Sequence, residues 1–175
     1  MSHPLLGNPA PSLSLLNADG TTYELKPGAQ GTPTAVFFYP KAGTYGCTRE
    51  VCAFRDALAE KVEFKDSGIT VVGISPDPVV AIKAFVTKHD VTYPMLSDES
   101  GVARKAYSVS RGLMGLSEGR VTFFIDSQGV VRDVFDSVIN FNGHIKAVTR
   151  ALEEYRSQSK PADAAAAAEV PAPSV

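Results

Sequence analysis

Two short runs of almost unbroken apolar residues, Thr34–Tyr39 (TAVFFY) and Ile69–Ser75 (ITVVGIS), constrain the fold of this chain more than any other feature. Both are rich in Val, Ile and Phe, and neither alternates with polar residues. That is the pattern of strands covered on both faces. Between them Val51, Phe54, Leu58 and Val62 recur at steps of three and four and form one helical stripe. Strand, helix, strand at this spacing is a βαβ unit, in which a crossover helix joins two parallel strands.

Later segments fit the same architecture. A second helix is expected from Asp77, with Asp77 as N-cap and Pro78 at the first helical position. Its buried face is Val79, Ile82, Phe85 and Val86. Arg120–Asp126 (RVTFFID) and Val130–Phe135 (VVRDVF) flank the turn signal Ser127-Gln128-Gly129, which predicts an antiparallel hairpin. A last helix is expected after Asn142, with Ile145, Val148, Leu152 and Tyr155 on one face. The fold class is therefore α/β, a central mixed sheet flanked by helices, closed by a C-terminal hairpin and helix. From Ser157 the chain reads SQSKPADAAAAAEVPAPSV, with seven Ala, three Pro and no aromatic residue. Such a composition buries too little apolar surface to offset its ordering entropy, so residues 157–175 are predicted to be a disordered tail. The run Ala164–Ala168 is too short to persist as a helix by itself. One folded domain over residues 3–156 is the expectation.

Charge narrows the classes of function. Seventeen Lys and Arg against 19 Asp and Glu give a net charge of −2, which argues against binding a phosphate backbone. No stretch approaches the roughly 18 apolar residues of a membrane span. The start, MSHPLLGNPAPSL, lacks a basic region followed by an apolar core, so no secretory signal is expected. Two cysteines do not make a disulfide framework. Free thiols in a reducing compartment are expected, with the cytoplasm as default and nucleus or organelle left open.

The chemistry concentrates in Tyr39–Asp56, YPKAGTYGCTREVCAFRD, which joins a buried strand to the first helix. Cys47 falls where that helix begins, and exposed N–H groups and the helix dipole there favour a thiolate. The dipole supplies at most ~2 kcal/mol, whereas lowering a thiol from about 8.5 to about 6 takes about 3.4 kcal/mol. A further donor or cation is required. Thr44 and Arg49 lie close in sequence, and others can arrive through the fold. Cys52 follows five residues later. Positions five apart on an ideal helix have Cα atoms ~8.6 Å apart, beyond the ~7 Å limit of a disulfide. Pairing these cysteines requires the helix to unwind locally.

Position and spacing alone leave two readings open, reactive thiols or two inert cysteines in helix packing. Two cysteines without a neighbouring His give too few ligands for zinc. No C-x-x-C is present. A Cys-His protease is poorly supported: His3 lies near a terminus, His144 near the start of the last helix, and His89 at a helix end where solvation is expected.

The run Pro40-Lys41-Ala42-Gly43-Thr44-Tyr45-Gly46-Cys47 fits P-x-x-x-T-x-x-C and resembles the active-site signature of the peroxiredoxins. Its continuation through Cys52 to Asp56 resembles the peroxiredoxin Q, or bacterioferritin-comigratory protein, branch. The likeness extends over roughly residues 4–155, including FFYPKAG, VVGISPD, YPMLSD and RVTFFIDSQGVV. It implies a thioredoxin-like fold and a thiol peroxidase that reduces hydrogen peroxide and organic hydroperoxides without metal or organic cofactor. Cys47 is then the peroxidatic nucleophile and Cys52 the resolving thiol of an intramolecular disulfide. Thr44 hydrogen-bonds the thiolate and orients peroxide, Pro40 shields the site from water, and Arg120 supplies the missing cation. Thioredoxin is the implied reductant and a monomer the implied state. Arg49 is read as a surface charge. Tyr45 departs from the branch, where Pro is common; it leaves the loop freer or offers an aromatic rim to organic hydroperoxides. A redox sensor or holdase with little turnover, and a peroxidase in which Cys52 is a bystander, are the alternatives.

Overall fold

The computed structural model describes residues 2–166, without the side chains of Leu113 and 159–166. Seven strands form one sheet in the order β2-β1-β5-β4-β3-β6-β7. They are β1 (Leu13–Asn17), β2 (Thr22–Leu25), β3 (Thr34–Phe38), β4 (Thr70–Ser75), β5 (Met95–Ser97), β6 (Val121–Ile125) and β7 (Val131–Asp136). The expected βαβ unit is at the centre. β3 and β4 run parallel from Thr34 opposite Thr70 to Phe38 opposite Ile74, and β5 extends the parallel part. β6 pairs antiparallel with β3, and β1 antiparallel with β5, so the sheet is mixed as anticipated. Alternation along the central strands feeds two cores. Ala35, Phe37 and Tyr39 face one, while Val36 and Phe38 face the other.

Helices α1 (Tyr45–Glu60), α2 (Val62–Ser67), α3 (Val79–His89) and α5 (Phe141–Ala166) bring Val51, Phe54, Phe64, Ile82, Phe85, Val148 and Leu152 into the first core. The short α4 (Val102–Ala106) delivers Ala103 to the second, where Tyr107 follows it.

Three expectations need correction. The stripe of α1 does not reach Val62, which is exposed; the chain breaks at Lys61, and Phe64 on α2 fills the core instead. The second predicted helix begins at Val79, with Pro78 rather than Asp77 at the cap. The Asp77 carboxylate is engaged elsewhere, accepting the Ala42 N–H at 2.7 Å and so tethering the loop before Cys47. At the C-terminus α5 continues to Ala166, ten residues past Arg156, the expected end of the domain. Ala is the strongest helix former, and extending an existing helix avoids the cost of nucleation. The remainder of the predicted disordered tail, 167–175, lies outside the described residues.

The hairpin forms as expected, with β6 one residue shorter at each end and β7 shifted by one residue. Asp126 closes its turn by accepting the N–H groups of Gln128 and Val130, both at 2.9 Å. Gly129 there has φ 82°, a conformation costly for any residue with a Cβ.

Candidate active site

Cys47 is the third residue of α1, just beyond the loop from the carboxyl end of β3. In an open α/β sheet, this end of the strands is where loops assemble sites. Cys47 is 1% exposed and belongs to the first core, in line with Val51. Cys52 is half-buried on a different side of α1. Both thiols are free, and both lie within continuous helix.

Arg120, directly before β6, is brought to Cys47 from 73 residues away. Each nitrogen of its guanidinium has a partner. Nε donates to the Val138 carbonyl at 2.9 Å, Nη1 to the Glu50 carboxyl, and Nη2 to Cys47 Sγ at 3.2 Å. Such a planar fork, charged at every physiological pH, can hold one geometry in a way a lysine cannot. It places a cation against the Cys47 sulfur.

The site contains two residues that sequence reasoning did not assign. Glu50, three residues after Cys47 on the same helix face, is 1% exposed. Burial pushes its carboxyl up to about 8 against the lowering effect of Arg120. Its Oε1 has no hydrogen bond and lies 3.5 Å from Nδ1 of His144. His144, fully buried on α5, is hydrogen-bonded to the Thr122 hydroxyl at 2.8 Å and the Ser137 carbonyl at 2.9 Å. Burial drives this imidazole down to about 4, and the Ser137 bond only partly opposes it. His144 is therefore neutral near pH 7. The i, i+3 spacing from Cys47 was the one available signal for Glu50; a charge on a helix otherwise reads as solvated.

The remaining expected residues are nearby, with different partners. Thr44 is the N-cap of α1, but its hydroxyl donates to the Lys41 carbonyl at 2.9 Å, not to the sulfur. Pro40 is half-buried at the end of β3. Arg49 is exposed, as expected for a surface charge. Tyr45 is exposed, with its ring edge-on to Phe141 at 5.8 Å between centroids. His89 ends α3 and packs edge-on against Phe85, with centroids 4.9 Å apart. His3 packs edge-on against Phe123. Among the described residues, no group of three or more His, Cys, Asp or Glu side chains could hold a metal.

The AhpC/TSA family model matches residues 6–134. The chain belongs to that family. It is 37% identical over 147 residues to a chloroplastic peroxiredoxin Q of Populus jackii, covering 84% of this chain and 67% of that protein. The chain thus spans about two thirds of the length of its plant relatives. Among solved structures, the peroxidoxin BcpB of Mycobacterium tuberculosis superposes with a TM-score of 0.76 at 36% identity, covering 87% of this chain and 98% of that one. A peroxiredoxin Q mutant of Xanthomonas campestris gives 0.71 at 30% identity, with 82% and 91% covered. The thioredoxin-like peroxiredoxin fold and the thiol peroxidase class anticipated from the Cys47 motif are those of these relatives.

Proposed function

We propose that the chain reduces hydroperoxides at Cys47 and is returned to its thiol form by a thioredoxin. The observation that carries this reading is the Arg120 guanidinium placed 3.2 Å from Cys47 Sγ in a buried site at a helix start. In the first step the Cys47 thiolate attacks the terminal oxygen of the peroxide. The O–O bond breaks, sulfenic acid forms, and the departing oxygen takes a proton to leave as water or an alcohol. Arg120 stabilises the negative charge that moves from sulfur to the leaving oxygen. Thr44 turns its hydroxyl from Lys41 toward the sulfur and the incoming peroxide, and Pro40 limits water at the loop. In the second step the Cys52 thiol displaces hydroxide from the sulfenic sulfur, releasing water and forming the disulfide. A dithiol reductant then takes over the disulfide by exchange. Because both cysteines belong to one chain, a monomer suffices. A cycle that depends on external thiols belongs in a reducing compartment such as the cytoplasm.

The test is NADPH oxidation coupled through thioredoxin reductase and thioredoxin with hydrogen peroxide. Wild type is expected to turn over many times and Cys47→Ser not at all. Cys52→Ser is expected to consume about one equivalent of peroxide and then stop. Unchanged turnover in Cys52→Ser would remove the intramolecular step, and a single equivalent consumed by wild type would make the protein a sensor.

A further inference from the structure

Arg120 is the only cation in contact with Cys47 among the described residues, and Glu50 contacts the same guanidinium. An ionised Glu50 and a Cys47 thiolate would put two buried negative charges on one positive charge. A neutral Glu50 would leave the cation to the sulfur. His144 decides between these arrangements. Its Nε2 faces the Ser137 carbonyl oxygen at 2.9 Å, so Nε2 carries the hydrogen and Nδ1 presents a lone pair. The Thr122 hydroxyl donates to Nδ1 at 2.8 Å, and the orphaned Glu50 Oε1 faces the same nitrogen at 3.5 Å. A carboxylate oxygen facing a ring nitrogen that carries no hydrogen is repelled, whereas a protonated Oε1 can turn its hydrogen toward it.

We propose that His144 is a positioning residue for peroxide reduction: by presenting Nδ1 to Glu50 it keeps that carboxyl protonated, so that Arg120 answers to Cys47 alone. The balance is that of one shared proton. Cys47–SH with Glu50–COO⁻ and Cys47–S⁻ with Glu50–COOH carry the same total charge, so one proton serves either member of the pair. The other groups electrostatically coupled to Glu50 are Tyr39 and Tyr93, whose phenols burial holds neutral far above pH 8. Burial is also what raises Glu50 to about 8, in agreement with the geometry. The proposal rests on Cys47 being the peroxide-reactive thiol.

Two measurements on the full chain test it. The first is the infrared absorption of a protonated carboxyl at pH 7 in reduced protein, compared with Glu50→Gln. A band present in wild type and missing in the variant is expected; no difference would mean an ionised Glu50 and would overturn the proposal. The second is the rate constant for hydrogen peroxide across pH 6–9, measured by competition with a second peroxidase. Wild type is expected to lose roughly tenfold by pH 9, where a group titrating at about 8 is ~10% protonated. Glu50→Gln should abolish that decline. His144→Leu should move it to lower pH in the wild-type background and change nothing in the pH profile of Glu50→Gln. Equal effects of His144→Leu in both backgrounds would reduce His144 to ordinary packing. If His144→Leu does not fold, His144→Phe, which keeps a ring but not the nitrogen, takes its place, and an unshifted decline there overturns the role of His144. A wild type inert to peroxide would instead refute the reading of Cys47, whatever the infrared band shows.

Discussion

Gly46 shows how little room the site leaves around its cation. It is the second residue of α1, and a Cβ built on it would lie 3.1 Å from Cδ1 of Phe141 and 3.2 Å from Nη2 of Arg120. Either contact is closer than ordinary packing, so an added methyl must displace the ring or the guanidinium. The helix itself would gain from the change, since Ala is favoured over Gly by up to ~1 kcal/mol within a helix. Gly46→Ala is therefore expected to leave thermal stability nearly unchanged while lowering the rate constant for peroxide about tenfold, near 1.4 kcal/mol in the barrier. Stopped-flow or competition kinetics beside a melting curve would separate the two effects. An unchanged rate would mean that Arg120 Nη2 is not needed where it stands. On the opposite side Arg104 ties the frame together, donating to the Tyr39 carbonyl at 2.8 Å and the Gly119 carbonyl at 3.2 Å. One buried side chain thus fixes both the end of β3, where the Cys47 loop starts, and the residue before Arg120.

At the scale of the element, α1 must both present Cys47 and let it go. Its first turn has no acidic residue, and the Thr44 side chain makes no capping hydrogen bond, so this end lacks two usual sources of helix stability. Further along, Val51 and Phe54 are fully buried, and the Tyr93 hydroxyl donates to the Val51 carbonyl at 2.8 Å. The helix start is thus held by Arg120 through Cys47 and Glu50 rather than by capping, while Val51, Phe54 and Tyr93 resist unwinding beside Cys52. One equivalent of peroxide is therefore expected to lower the helical circular dichroism of wild type but not of Cys52→Ser. Tyr93→Phe should speed the appearance of the disulfide and cost about 0.5–1.5 kcal/mol of stability. Slower disulfide formation in Tyr93→Phe would show that the tether guides the step instead of resisting it. The elements most easily read from sequence are those with one dominant pattern. Continuous apolar runs marked β3 and β4, and a long stripe marked α1. The three-residue β5 and the outer strands β1 and β2 gave no comparable periodicity. At the site, Cys47 and Arg120 were legible through a motif. Glu50 and His144 were not, because their burial is created by partners 70 and 94 residues away in the chain.

The whole molecule carries the signature of this buried pair in its stability. Burial raises Glu50 from 4.5 to about 8, so between those values the folded chain holds a proton that the unfolded chain has lost. Stability from this group is complete below pH 4.5 and falls as pH rises toward 8. His144 has the opposite sign. Lowered from 6.5 to about 4, it contributes stability present above pH 6.5 and lost as pH falls toward 4. Between pH 4.5 and 6.5 the two slopes oppose and nearly cancel, and above pH 6.5 only the Glu50 slope remains. In Cys47→Ser, where no thiol shares the proton, one uncompensated proton changes stability by ~1.4 kcal/mol per pH unit, so a loss of about 2 kcal/mol is expected from pH 6.5 to 8. Urea titrations across that range should show the decline in Cys47→Ser. Cys47→Ser combined with Glu50→Gln, with no proton to lose, should hold its stability level over the same interval. A decline that survives in the double variant would assign the alkaline loss to another group and would leave the Glu50 carboxyl ionised throughout.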